Sequence, residues 1–247
     1  MQILEKISYN SGSLVRVNKS RYTRQYGISK QFFKSYILII ISLFYLFVPT
    51  ALFAEPCSGN ILSDTTWTGN VDIEGDVVVQ CGAVLTIQPG TNIRFSANSS
   101  TFDDSLGNDG LCDLIVLGGI KAVGGHSAAD SIVFTSNSMS PAPGNWGIIL
   151  FMPIAVDSLC QLDYTSISFG TIGLKIIGSI DLEHTRFSDN SSHGLYWSDN
   201  AFPILIDDMV FESNGGNGCR IDGIDSIDIS NSYFDNNVNS GLFVTGT

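Results

Sequence analysis

The sequence predicts an all-β fold, a single-stranded solenoid of short stacked coils, and three observations carry that prediction. Opening aliphatics at Leu162, Leu182, Ile206 and Ile229 recur at steps of 20, 24 and 23 residues. Anchors at Ile167, Phe187, Phe211 and Phe234 keep the same steps, and Gly170, Asn190, Asn214 and Asn237 follow them by three residues. The runs between these markers are short, β-prone and punctuated by Gly, Pro or Asn. Such a period is too short for a four-stranded propeller blade, and a helix-poor pattern excludes helical repeats.

From the N-terminus, Lys6, Arg16, Lys19, Arg21, Arg24, Lys30 and Lys34 precede the apolar run Tyr36 to Phe47, which leads through Pro49 to Ala54. A positive stretch, an apolar stretch and a small residue at the exit match a secretory signal. Residues 1–54 are therefore read as an export signal cut after Ala54, with a product secreted or held at the cell surface. Two alternatives stand beside this reading. One is an uncleaved anchor, because Leu52 is large for its place before the cut; the other is a start downstream of Met1 at a non-Met codon.

Removal of the signal takes seven of the 12 basic residues and one of the 24 acidic ones, leaving five against 23 and a formal charge of −18. A surface this acidic repels nucleic-acid phosphates and anionic headgroups and attracts cations. Nucleic-acid partners are thereby excluded, and membrane contact is expected only through an uncleaved signal or an anchor beyond Thr247. The five cysteines, Cys57, Cys81, Cys112, Cys160 and Cys219, all follow the cut. Their spacing matches no zinc pattern, and Cys57 with Cys81 is the expected disulfide, since both flank the first strands.

Residues 55–115 read as an N-terminal cap with the first coils. Val71-Asp-Ile73, Val77-Val-Val79 and Ala83 to Phe95 are short apolar runs, and Ser96 to Asp113 is a polar loop inserted between coils. Residues 116–247 read as further coils through Ile132 to Thr135, Trp146 to Phe151 and the four repeats. Each repeat carries a second strand opening at Gly173, Gly194, Gly218 or Gly241. Alternation along that strand sends Leu174, Leu195, Cys219 and Leu242 inward, with Ile176, Trp197, Ile221 and Val244 forming a second inward column. Cys219 is thus a core thiol. The Gly or Asn after each anchor is expected at positive φ, and stacked Asn amides are expected to bond in a ladder. The chain stops at Thr247 inside a coil, so the last part reads as incomplete, a truncated solenoid.

Leu85-Thr-Ile-Gln-Pro-Gly-Thr-Asn-Ile-Arg-Phe95, Gly118-Gly-Ile-Lys-Ala-Val-Gly124, Ile132-Val-Phe-Thr-Ser136 and Trp146-Gly-Ile148 follow one another in an order that resembles the secreted bacterial right-handed parallel β-helix proteins of the pectin-lyase-like superfamily. The resemblance spans about residues 70 to 247 and implies a right-handed parallel β-helix. That superfamily holds polysaccharide lyases, glycoside hydrolases, adhesins and surface proteins, so the resemblance implies fold more than activity. It implies acids, a base or Ca²⁺ ligands on the outer face of adjacent coils.

Asp163, Glu183 and Asp207 occupy equivalent positions after each opening aliphatic and are the candidate metal ligands, with Ca²⁺ as the candidate ion and Arg186 nearby. Against this, a chain this acidic aligns some carboxylates by chance, and solvent screens them. Lys175, Tyr196, Arg220 and Phe243 form an outward column of cations and rings suited to extracellular polysaccharide. The competing reading of that column is plain cation–π pairing between coils. Ser192-His193-Gly194 and Asp207-Asp208 match only fragments of polygalacturonase-like hydrolases, and no residue is assigned as catalytic. The leading expectation is a binding or structural protein of the cell envelope; the alternative is a Ca²⁺-dependent lyase or hydrolase of acidic glycans.

Overall fold

A computed structural model describes residues 57–98, 110–155, 157–198, 204–224 and 226–246. The export signal and its cut, together with Asp103, Asp104 and Asp109 of the polar loop, lie outside the described residues. In chain order the first strands are β1 (Cys57–Ile61), β2 (Thr65–Trp67), β3 (Asn70–Val79), β4 (Val84–Ile87), β5 (Asn92–Phe95), β6 (Leu114–Val116) and β7 (Gly119–Val123). Next come β8 (Ile132–Ser136), β9 (Trp146–Phe151), β10 (Cys160–Asp163), β11 (Thr165–Ser168), β12 (Gly170–Ile177), β13 (Asp181–Glu183) and β14 (Arg186–Ser188). The last are β15 (Leu195–Ser198), β16 (Ile204–Asp207), β17 (Val210–Glu212), β18 (Cys219–Ile224), β19 (Ile227–Ser230), β20 (Tyr233–Asp235) and β21 (Leu242–Gly246).

All pairings are parallel. One 14-stranded sheet runs β20-β17-β14-β11-β8-β5-β3-β6-β9-β12-β15-β18-β21, with β1 beside β3. A five-stranded sheet runs β13-β10-β7-β4-β2, and β16 pairs with β19 in a third. This topology corrects the expected right-handed parallel β-helix, an open single-stranded solenoid. The large sheet passes unbroken from one leg to the other and, with the two smaller sheets, forms a nearly closed parallel wall around one core. The cause is local: β3 is ten residues long, so Asn70 to Ile73 pair with β5 while Val77 to Val79 pair with β6. The resemblance to the pectin-lyase-like group is corrected on the same ground.

Register is kept along the core columns, with shifts in the β1–β3, β9–β12 and β18–β21 pairings. Val71, Ile93, Phe134, Ile167, Phe187, Phe211 and Phe234 are successive partners along one leg. Phe187 and Phe211 stack with centroids 5.2 Å apart, and Phe211 and Phe234 at 4.9 Å. On the other leg Val77, Leu114, Ile149, Leu174, Leu195, Cys219 and Leu242 align. The five-stranded sheet adds Ile87, Ala122, Leu162 and Leu182. From Val71 to Phe211 and from Val77 to Cys219 these side chains are buried, each sequestering apolar area at about 25 cal/mol per Å². Burial pushes the Cys219 thiol far up, consistent with a core thiol.

The Asn ladder forms. Asn190 Nδ2 donates to Asn214 Oδ1 at 3.0 Å, and Asn214 Nδ2 donates to Asn237 Oδ1 at 2.9 Å and to the Phe187 carbonyl at 3.2 Å. Positive φ falls one residue earlier than expected, on Phe169, Asp189, Ser213 and Asn236. The Asn residues are instead drawn inward, where they satisfy backbone groups beneath the turn. Gly194 and Gly218 are needed beside them, since a Cβ on either would lie 2.7 Å from the next glycine's carbonyl oxygen. Cys57 and Cys81 form no disulfide. Cys57 pairs with Ile73 while Ile61 pairs with Val79, which leaves Cys81 beyond the far end of β1, its Sγ directed to the Leu117 carbonyl at 3.6 Å.

Asn214→Ala removes a fully buried amide and strands partners in the repeats on both sides. Urea denaturation is expected to show a loss of about 3 kcal/mol, the cost of leaving buried groups unpaired. The exposed Asn239→Ala should cost under about 0.5 kcal/mol; equal effects would refute the ladder's role.

Candidate metal centre

A second column of positive φ marks the turns that lead into β11, β14, β17 and β20: Tyr164 (48°), His184 (43°), Asp208 (49°) and Asn231 (48°). Asp, Asn and His enter this region more readily than most residues, and Tyr164 is the outlier. The column stands three residues before each anchor, in phase with the repeat. That phase is the sequence signal for these turns, which directly follow the acids at 163, 183 and 207.

Asp163 and Glu183 end β10 and β13 and are partners in register. Their carboxylates and a ring nitrogen of His184 all lie within 4.8 Å of one another. His184 Nδ1 is 2.8 Å from Asp163 Oδ1 and 4.0 Å from Glu183 Oε2, while Nε2 is 3.6 Å from Asp208 Oδ2. Tyr164 stacks on the imidazole at 4.2 Å with planes 6° apart, and His126 meets the tyrosine edge-on. The imidazole plane is thus fixed while both nitrogens face carboxylates. Side-chain exposure runs from 19% at Asp163 through 30% at His184 to 61% at Asp208, leaving room for water on one side.

Asp207, expected as the third ligand, stands elsewhere. It belongs to the sheet of β16 and β19, and its Oδ1 accepts from Ser230 Oγ at 2.7 Å and Asn231 Nδ2 at 2.9 Å. Those two hydrogen bonds hold its carboxyl below the ordinary value. Arg186 pairs with Glu212 and does not join the cluster. The donor set the structure assembles is therefore Asp163, Glu183 and His184, with Asp208 alongside.

Lys175, Tyr196, Arg220 and Phe243 are register partners on the outer face, as their spacing required. They are engaged with one another: Lys175 Nζ lies 5.5 Å from the Tyr196 ring centre, and Arg220 lies 5.1 Å from Tyr196 and 5.5 Å from Phe243. Arg220 also pairs with Asp222 at 2.9 Å. Burial opposes ionisation of Asp222, but hydrogen bonds from Arg220, Thr245 and Tyr196 outweigh it and hold the carboxyl down. Cation–π contacts thus link this column from repeat to repeat.

His193 sits at a different turn from Asp207 and Asp208, so the hydrolase-like fragments do not converge. Its Nδ1 accepts from the Asn217 N–H at 3.0 Å, which requires that nitrogen unprotonated. Burial, with help from Arg220, lowers its pKa.

No family model matches the chain, and neither a curated protein nor a solved structure matches it. The expected polysaccharide-binding or structural β-helix protein, and its alternative, a Ca²⁺-dependent lyase or hydrolase, are corrected together by the sheet topology. Both rested on the open-coil scaffold and its family resemblance, and the wall around the core replaces that scaffold.

The histidine pKa yields a pH prediction. Unfolded chains take up a proton on His193 near 6.5, while the folded protein resists it until lower pH. Stability from this group is complete above 6.5 and is lost as pH falls through the window beneath it. The thermal midpoint of His193→Gln should decline less than that of the wild type between about pH 7 and pH 5; matching declines would contradict the assignment.

Proposed function

We propose that this chain is an exported protein that binds a divalent cation at the His184 turn. The observation that carries the reading is one imidazole at a partly exposed turn with carboxylates facing both ring nitrogens, Asp163 and Glu183 on the Nδ1 side and Asp208 on the Nε2 side. Imidazole nitrogen with carboxylate oxygen suits Zn²⁺ and neighbouring transition ions, whereas Ca²⁺ takes an all-oxygen shell. The acidic mature surface favours cation approach, and a bound ion offsets the repulsion among Asp163, Glu183 and Asp208. Export is supported by the basic and apolar order of residues 1–54. An ion here would tie together side chains from successive repeats, because Asp163, His184 and Asp208 belong to three consecutive turns.

Isothermal titration with Zn²⁺ should show one site per chain, lost in His184→Ala and kept in Asp181→Ala, while Ca²⁺ should give little heat. Absence of saturable Zn²⁺ binding would overturn the reading and leave the His184–Asp163 hydrogen bond as a purely protein contact.

A further inference from the structure

We infer that the two carboxylates flanking the His184 ring have different roles: the ion is held by Nε2 and Asp208, while Asp163 is a positioning residue acting through Nδ1. This rests on the cation-binding reading above and assigns its ligands. The argument is geometric. Nδ1 and Asp163 Oδ1 are 2.8 Å apart, a hydrogen-bond separation in which Nδ1–H donates to the carboxylate. Two ligands of a tetrahedral ion bound at about 2.0 Å each stand about 3.3 Å from one another, so an ion cannot enter that gap without breaking the bond. On the other side, Nε2 and Asp208 Oδ2 are 3.6 Å apart, close to that ligand-to-ligand span.

Chemistry points the same way. A histidine that donates one N–H to a carboxylate presents the other nitrogen as a more basic ligand with its ring held in orientation. Asp163 is the less exposed partner and Asp208 the more exposed, as suits a support and a ligand open to water. Asp208 is anchored by its own backbone, since its N–H donates to the Ser230 carbonyl at 3.3 Å, so the carboxylate can adjust while the turn stays fixed. Tyr164, stacked on the imidazole face, holds the ring plane in place.

The test combines Zn²⁺ titration with nitrogen-15 NMR of the His184 ring in the wild type, Asp208→Asn and Asp163→Asn, thermal midpoints serving to verify folding. The expected result is a Zn²⁺-dependent shift at Nε2 with the Nδ1 proton retained. Asp208→Asn should weaken binding by more than about a hundredfold, and Asp163→Asn by about ten- to a hundredfold with loss of the fixed tautomer. Wild-type binding with Zn²⁺ on Nδ1, or undiminished affinity in Asp208→Asn, would overturn this assignment and leave the cation-binding reading standing. Failure of the wild type to bind Zn²⁺ would remove both.

Discussion

Hydrogen bonding between parallel strands sets neighbouring repeats about 4.8 Å apart, so any residue type that recurs along the chain comes to lie over its counterpart. Every other feature inherits that constraint. Asn amides satisfy one another because donor and acceptor return at the same height in each repeat. Phenylalanines stack nearly parallel, with interplanar angles of 6° and 10°, because their strands are in register. Glycine is held at Gly194 and Gly218 because the adjoining repeat's backbone passes within reach of a Cβ.

The same stacking makes charge an acute matter. A like-charged column is unfavourable at this spacing, and the described acids are relieved in different ways. Arg94 lies beside Asp72, its register partner, and Arg186 reaches Glu212. Arg220 is divided between Asp222 and two aromatic rings. Exposed pairs of this kind contribute about 0–1 kcal/mol each, so they manage repulsion more than they hold the fold together. At the His184 turn three carboxylates surround one imidazole, and there a cation has the most to offer.

The inward columns were legible because burial and register act on the same positions: Phe187, Phe211 and Phe234 could be aligned from letters alone. Continuity of the large sheet was not, because it depends on β3 being long enough to serve two neighbours, and length of pairing leaves no mark in a hydrophobic pattern. The offset of positive φ onto Asp189 and Ser213 was hidden since Asn190 and Asn214 are equally good turn formers; their buried hydrogen bonds decided the matter. At the candidate centre, Asp163 and Glu183 were found from their common place in the repeat. Asp207 shares that place but is taken up by Ser230 and Asn231, and His184 reads in the sequence as a surface or turn histidine because its partners come from the turns before and after it. Cys57 and Cys81 show the limit of proximity in sequence, as a single extended strand carries them apart.

Nuclear Overhauser spectroscopy on protein labelled at Asn and Phe addresses the stacking of repeats most directly. The account predicts contacts from the Asn214 side-chain amide to both Asn190 and Asn237, and from the Phe211 ring to both Phe187 and Phe234, with none linking Asn190 to Asn237. A direct Asn190–Asn237 contact, or amides exchanging as fast as those of an unfolded chain, would contradict it.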